Sequence, residues 1–378
     1  MTRATDVLVI GAGVVGAACA YHAARAGLTV TVVDRGPVAG GTTGAGEGDI
    51  LVSDKEPGPE LDLALLSTRS WHDLAGEVGG FEYEVKGGLV VAATAGGVAG
   101  LAGLTARQRA AGVEVTPVAA GDLTGYEPHL AGDLAGGAFY PQDAQVQPML
   151  AAARLLRASG ARVCTGVTVT GMLRGGDRVT GVRTDHGPIA AGAVVNAAGT
   201  WGGDVAALAG VRVPVLPRRG FVLVTEPLPP LIRHKVYAAE YVAGVGSDDE
   251  GLETSAVIEG TPAGTVLIGA SRERVGFDRG FSLPVLRLLA RQAIALFPRL
   301  GDVAAIRAYC GFRPYCPDHL PVVGPDPRAG GLLHACGHEG AGIGLAAGTG
   351  RVLAQVLTGA ELEIDLFPFR PERFTEAS

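Results

Sequence analysis

Hydrophobic residues in this chain fall first into a short unbroken run, Val7 to Ile10, then into an alanine-rich stretch, then into a second run from Leu28 to Val33. Unbroken apolar runs bounded by turn residues fit strands buried on both faces, and the small-residue stretch between them fits a helix packed closely on a sheet. The pattern predicts a strand–helix–strand unit over "DVLVIGAGVVGAACAYHAARAGLTVTVVDR", residues 6 to 35. A similar strand, glycine turn and small-residue helix recur near the other end, in "GGLLHACGHEGAGIGLAAGTGRVLAQVL". Between them, "FSLPVLRLLARQAIALFPRL", 281 to 300, repeats its apolar positions at helical spacing and predicts a helix. No internal repeat or low-complexity linker interrupts the chain. No stretch reaches the roughly 18 uninterrupted apolar residues of a membrane-spanning helix.

Composition narrows this picture. At 378 residues the length favours two lobes over one. With 47% hydrophobic and 18% charged residues, a disordered chain is excluded. A net charge of −7 argues against nucleic acid or an anionic membrane as the main partner. Cysteines stand at 19, 164, 310, 316 and 336, an odd number with no close CxxC pair. Neither a disulfide framework nor a thiolate metal site is suggested, and no metal is expected. The N-terminus passes straight into the first strand without a signal-peptide pattern. The expectation is a soluble, cytoplasmic protein.

The first glycine cluster carries the first chemistry. In "GAGVVG", Gly11 permits a tight turn, Gly13 lets a pyrophosphate approach the backbone, and Gly16 lets helix and strand pack closely. The helix N-terminus stabilises phosphate charge, and Asp34 at the end of the second strand is placed to accept hydrogen bonds from ribose hydroxyls. Strand, helix, second strand and acid in register predict dinucleotide binding, without separating FAD from NAD. The segment "GGTTGAGEGDI", 40 to 50, reads either as a flexible loop or as a cofactor loop. In the second case Thr42 and Thr43 hydrogen-bond a pyrophosphate and the glycines allow close approach to a flat ring.

With these motifs in place, the chain resembles the FAD-dependent amino-acid oxidase and dehydrogenase superfamily that includes D-amino-acid, glycine and sarcosine oxidases. The likeness covers most of the chain, through "VIGAGVVGAACAYHAARAGLTVTVVDR", "GTTGAGEGDILVS", "YPQDAQVQP", "VVNAAGTWG", "GFRPYCPDHLPVVGP" and "GHEGAGIGLAAGTGR". The resemblance implies an α/β fold with a discontinuous Rossmann-like FAD-binding domain (1–75, 141–209 and 311–378). It implies an α+β substrate domain with a mixed sheet and helices on one side (76–140 and 210–310). FAD contacts are implied for Gly11, Gly13, Val14, Val15, Gly16, Asp34, Arg35, Thr42, Thr43, Gly46, Val167, Ala198, Gly199, Trp201, Gly311, Gly337, Gly340, Ala341, Gly342 and Ile343. Val167 also reads as an ordinary core strand residue. In the family the late glycine turn brings a helix N-terminus against the flavin ring, where its N–H groups and dipole favour the anionic reduced flavin.

The same resemblance assigns Arg313, in "GFRP", to the substrate carboxylate, a role that suits a guanidinium's two parallel donors. A structural arginine paired to Asp318 or to backbone carbonyls is the alternative. His338 defines the late turn or is held there for structure. Glu47 and Glu339 read either as solvated turn carboxylates or as groups that orient a substrate ammonium or a ring nitrogen. Tyr237 and Tyr241 are candidates for closing the pocket. Where glycine oxidase has an arginine two residues after the turn histidine, this chain has Gly340. Sarcosine-type oxidases use a lysine near the flavin to assist oxygen, and "LIGASRERVGFD", 267 to 278, contains none. That absence favours a dehydrogenase that passes electrons to a protein or quinone.

The segments around 41 and 337 look most like FAD subunits of D-hydroxyproline dehydrogenase and hydrogen cyanide synthase, relatives that work with iron–sulfur and second flavoprotein subunits. This chain lacks the cysteines for its own cluster. The expectation is FAD-dependent oxidation of a small amino acid or secondary amine, D-hydroxyproline first. An oxygen-using oxidase of glycine or sarcosine type is the rival, and a non-catalytic flavin-containing subunit the distant one.

Overall fold

A computed structural model describes residues 5–244 and 249–374, with the Tyr241 side chain outside the described residues. The first apolar run forms the strand Thr5–Ile10, in which Val7, Leu8 and Val9 are at most 1% exposed. It lies at the centre of a sheet, parallel to Val30–Asp34 on one side and Gly187–Asn196 on the other. Arg162–Thr165 and Leu332–Cys336 extend this sheet in parallel, and Val322–Pro325 closes it antiparallel. Strands buried on both faces need helices above and below, which explains why these segments read as unbroken apolar runs. The second strand starts at Val30, two residues later than its apolar pattern predicts. Asp6 Oδ2 accepts from the Thr29 amide (2.8 Å) and hydroxyl (2.6 Å), which fixes residues 28 and 29 as the turn.

The helix Val14–Arg25 joins the two strands and packs against Gly342–Thr358, the helix that follows the late glycine turn. Their backbones nearly touch, since a Cβ on Gly350 would lie 2.6 Å from the Ala18 carbonyl. The small residues of the late helix are thus a packing requirement. They place the two ends of the chain side by side.

A second sheet runs in the order Ala305–Tyr315, Leu216–Thr225, Val266–Arg272, Glu253–Gly260, Lys235–Ala238, Gly88–Ala92, Gly136–Tyr140, Thr116–Ala119. It is mixed, because Lys235–Ala238 pairs parallel with Gly88–Ala92 and the neighbouring pairs are antiparallel. The helix expected over 281 to 300 spans Leu283–Leu296 and buries Val285, Leu286, Leu289 and Ala293 in the core of this sheet. It stops early because Phe297 precedes Pro298 and is held extended (φ −127°, ψ 88°). The strand Ala305–Tyr315 carries the second sheet across residue 311, so the boundary expected there falls inside a strand. This strand faces the first sheet's turns, and the site forms along that seam. Among the described residues, no helix is long and apolar enough to cross a membrane.

Candidate active site

A cavity of about 510 Å³ runs from the C-terminal ends of Thr5–Ile10 and Val30–Asp34 to the strand Ala305–Tyr315. That is where doubly wound sheets take their ligands. Gly11 has φ +115°, and a Cβ there would lie 2.3 Å from the Ala197 carbonyl oxygen. A Cβ on Gly16 would lie 2.0 Å from the Gly11 carbonyl oxygen, so Gly16 seats the helix and does not itself line the cavity. The helix Val14–Arg25 has no side-chain cap from its N-cap residue Gly13. The Thr43 hydroxyl accepts from the Val14 amide at 3.0 Å and keeps its own proton for another acceptor. Thr42 differs: it donates to the Phe312 carbonyl at 2.7 Å, so its proton is committed to joining the two sheets.

Asp34 is held by two backbone amides, Ala12 N to Oδ2 (2.7 Å) and Gly36 N to Oδ1 (2.8 Å). Its position at the cavity wall is therefore fixed before any ligand arrives. The Arg35 guanidinium lies 4.1 Å from the Trp201 ring centroid, and Trp201 stacks on Phe277 at 5.2 Å. Val167 lines the same end, its amide bonded to the Asp34 carbonyl. Of the twenty expected cofactor residues, Gly16, Gly337 and Ala341 do not line this cavity. A Cβ on Gly337 would meet Cys316 Sγ at 2.6 Å, so that glycine serves packing. Ala341 lines a neighbouring cavity.

The late turn closes the other end. Gly340, Gly342 and Ile343 line the cavity at the N-terminus of Gly342–Thr358, a helix with no side-chain cap and no acid in its first turn. Two helix N-termini thus contribute to one cavity, and their remaining N–H groups and positive dipole ends favour anionic groups. His338 is 3% exposed with Nε2 3.0 Å from the Thr349 hydroxyl, and burial lowers its pKa to about 4. It is a neutral imidazole that fixes the turn.

Glu339 is not a solvated carboxylate. Its backbone is left-handed (φ +48°). Its Oε1 accepts from Arg218 at 2.6 Å, and its Oε2 lies 2.9 Å from His319 Nδ1. Burial works to raise its pKa, but the hydrogen bonds from His319 and Arg218 outweigh burial and hold it below the ordinary glutamate range. Arg218, fully buried, also binds Glu253 at 3.0 Å. Sequence reasoning missed this clasp, although two adjacent arginines inside the apolar run "VPVLPRRGFVLV" were a signal that buried acids wait for them.

Arg313 sits where the first cavity meets a second, of about 550 Å³, and it lines both together with His338, Glu339 and Gly340. Its guanidinium donates to the Ser271 carbonyl at 2.7 Å. Among the described residues no carboxylate pairs with it, and Asp318, its expected alternative partner, binds Arg373. Alternation along the strand turns Tyr309, Gly311 and Arg313 to one face. A Cβ on Gly311 would lie 2.7 Å from that of Ala45, so the strand approaches the Thr42–Ala45 turn as closely as glycine allows. The second cavity's far wall holds Lys55 between Asp54 (2.9 Å) and Glu60 (3.5 Å).

Glu47 lines the first cavity and is 7% exposed. Lys235, a buried lysine that sequence reasoning left unplaced, lies below it and binds Asp49 and Glu259. Tyr237 is fully buried, donates to Asp143 at 2.9 Å and lines neither cavity, so it does not close the pocket.

A glycine-lined cavity with two helix N-termini, a fixed carboxylate at the end of the second strand and a buried apolar wall defines a dinucleotide-binding protein. The comparisons make the class specific: residues 6–356 match the DAO family, FAD dependent oxidoreductase, and the chain belongs to it. Its cofactor is FAD, and the residues fit that group. Gly11, Gly13, Gly311 and Gly340 line the cavity without side chains, and the buried Glu47 Oε1 has no protein partner.

The chain is 30% identical to hydrogen cyanide synthase subunit HcnC of Pseudomonas aeruginosa, over 99% of this chain and 97% of that one. It is also 30% identical to glycine oxidase of Geobacillus kaustophilus, over 98% and 97%. The crystal structure of Geobacillus kaustophilus glycine oxidase superposes with a TM-score of 0.89 at 28% identity, covering 98% of this chain and 99% of that one. L-proline dehydrogenase from P. horikoshii shares the fold, with a TM-score of 0.91 at 22% identity and full coverage of both chains.

Proposed function

We propose that this chain oxidises the carbon–nitrogen bond of a small amino acid or secondary amine, removing a hydride from the carbon beside nitrogen and leaving an imine. The observation that carries this reading is Arg313. It is a guanidinium at the junction of two cavities, held by one main-chain carbonyl and bound to no carboxylate among the described residues. One cavity fits FAD and the other is adjacent, so a carboxylate on Arg313 holds an amino acid between them, where positioning supplies much of the rate. FAD supplies the two-electron acceptor chemistry when bound. This chain's residues anchor the carboxylate and, through the neutral His338 and the Glu339–Arg218 clasp, hold the late turn rigid.

D-hydroxyproline is the first candidate substrate, and a protein or quinone the first candidate acceptor. Support for the acceptor comes from the HcnC relative, itself a subunit, and from the lysines. The buried lysine nearest the Glu47 wall, Lys235, is bound to Asp49 and Glu259, so its ammonium is engaged.

The test is anaerobic bleaching of the oxidised-flavin absorbance by a panel of D- and L-amino acids, sarcosine and prolines, followed by admission of air. Bleaching by one substrate class with slow recovery in air is expected. Fast recovery with hydrogen peroxide would make the chain an oxidase. A flavin that no amine reduces would overturn the reading. Arg313→Ala should keep its flavin and lose reduction at any practical substrate concentration; an unchanged rate would point to the non-catalytic subunit.

A further inference from the structure

At the Arg313 end of the first cavity, two carboxylates share one ammonium and a third stands beside them. Lys235 comes from the strand Lys235–Ala238 and binds Asp49 and Glu259. Glu259 Oε2 also accepts from the Gly48 amide at 3.1 Å. The third carboxylate, Glu47, faces the cavity, and its buried Oε1 has no hydrogen-bond partner. Tyr309 and Arg313 face it from the strand Ala305–Tyr315, with the Tyr309 hydroxyl donating to the Gly46 carbonyl at 3.3 Å. From Val266–Arg272 the Gly269 backbone meets it: a Cβ there would lie 2.6 Å from Glu47 Oε2. A buried carboxyl oxygen without a donor costs about 1–3 kcal/mol or more, and Glu47 is at the cavity wall, where a ligand can supply that donor.

Resting on the amine-oxidation reading above, we propose that Glu47 takes the proton of the substrate's ammonium group, with Lys235, Asp49 and Glu259 as the cluster that positions it. The nitrogen–hydrogen bond breaks, an oxygen–hydrogen bond forms on Glu47, and the nitrogen regains its lone pair. The carbon–hydrogen bond beside it then breaks with both electrons leaving to oxidised FAD, and the lone pair closes the carbon–nitrogen double bond of an iminium. The carbon is oxidised, the flavin is reduced, and Glu47 keeps the first proton until it passes to solvent. Arg313 on the carboxylate and Glu47 on the nitrogen bind the two ends of one zwitterion. The charge balance agrees. Burial raises the Glu47 pKa to about 7; Lys235 and Arg313 pull it down and Glu259 pushes it up. A carboxyl that exchanges its proton near neutrality is what general-base work requires.

The experiment is stopped-flow reduction of the FAD-loaded protein across pH 6 to 10 (about the span between the two ionisations), reported as the second-order reduction constant. Wild type should show an acid limb that follows Glu47 in the free enzyme. Glu47→Gln should be slower by about 10²- to 10⁴-fold at neutral pH. Its rate should recover as pH rises through the substrate's own ammonium pKa, because the amine then arrives unprotonated. Glu259→Gln, which removes a like charge, should move the wild-type limb to lower pH. A non-reacting aliphatic carboxylate, read by its shift of the flavin spectrum, should bind Glu47→Gln as it binds wild type; this shows an intact site without turnover. A Glu47→Gln variant with the wild-type rate and limb would overturn this inference and leave amine oxidation standing. A wild type that no amine reduces would overturn both.

Discussion

Replacing Arg218 by methionine tests how the late turn is held. Methionine keeps most of the arginine's volume, so little cavity is created. What is lost is the charge: Glu339 Oε1 and Glu253 Oε2 lose donors at 2.6 and 3.0 Å from a side chain that is fully buried. Truncating one partner of a buried ion pair costs about 3–5 kcal/mol, because the other charge stays behind. Two contacts soften the loss, His319 on Glu339 at 2.9 Å and Arg272 on Glu253 at 3.5 Å. We therefore expect about 3 kcal/mol, read as the shift in urea midpoint at fixed saturating FAD. FAD affinity should fall with it, since Glu339 sits in left-handed backbone between His338 and Gly340, and both neighbours line the cavity. The folded-state pKa of Glu339 is depressed, so its contribution is present above the ordinary glutamate range and lost as pH falls through the folded value. The gap between wild type and variant should therefore close in acid. In a cycle with Glu339→Gln, the two losses should fall short of additivity by about 1 kcal/mol or more. A loss below about 1 kcal/mol, or strict additivity, would refute the clasp.

Three further perturbations follow from the same geometry. His338 has its pKa lowered to about 4 by burial, so the folded state is stabilised above the ordinary histidine value and loses on the order of 3 kcal/mol as pH falls from there through the folded one; His338→Gln should flatten that part of the stability–pH curve. Gly11→Ala places a Cβ 2.3 Å from the Ala197 carbonyl at φ +115° and should abolish FAD retention on gel filtration; normal flavin content would contradict the cradle. Gly269→Ala drives its Cβ to 2.6 Å from Glu47 Oε2 and must move that carboxylate, so flavin should stay bound while amine-driven reduction slows by about 10²-fold.

What could be read in the sequence and what could not divides along a physical line. The wall of the first cavity is made of local features: a tight turn after a buried strand, a small-residue helix, an acid at the next strand's end. Each leaves its mark within a few residues, so Gly11, Gly13, Asp34 and Thr43 were legible and so was the late turn. Side-chain partners set by tertiary packing were not. Glu339 meets Arg218 across 121 positions, and nothing near "GHEGAG" says so. Thr42 looked like a phosphate ligand because its hydroxyl stands in a glycine loop; that its proton goes to Phe312, 270 positions on, depends on how the second sheet docks. Lys235, one of three lysines in the chain, has no acid near it in "LIRHKVYAA", yet it binds Asp49 and Glu259 behind the cavity wall.

The same division says where this fold can change substrate. The first sheet and its two helix N-termini line the first cavity largely with glycine and main chain, and substitution there is limited by contacts such as Gly350 on Ala18 and Gly311 on Ala45. The groups proposed to meet a substrate come from elsewhere, Arg313 from the edge strand of the second sheet and Glu47 from a loop backed by Lys235 and Glu259, while Asp54, Lys55 and Glu60 at the entry to the helix Pro59–Glu77 line the second cavity. These side chains can be exchanged without disturbing the cradle, provided each buried charge keeps a partner. The pairing rule also predicts which exchanges are coupled: a change at Lys235 must be answered at Asp49 or Glu259, whereas Arg313, with no acid bound to it among the described residues, can change alone.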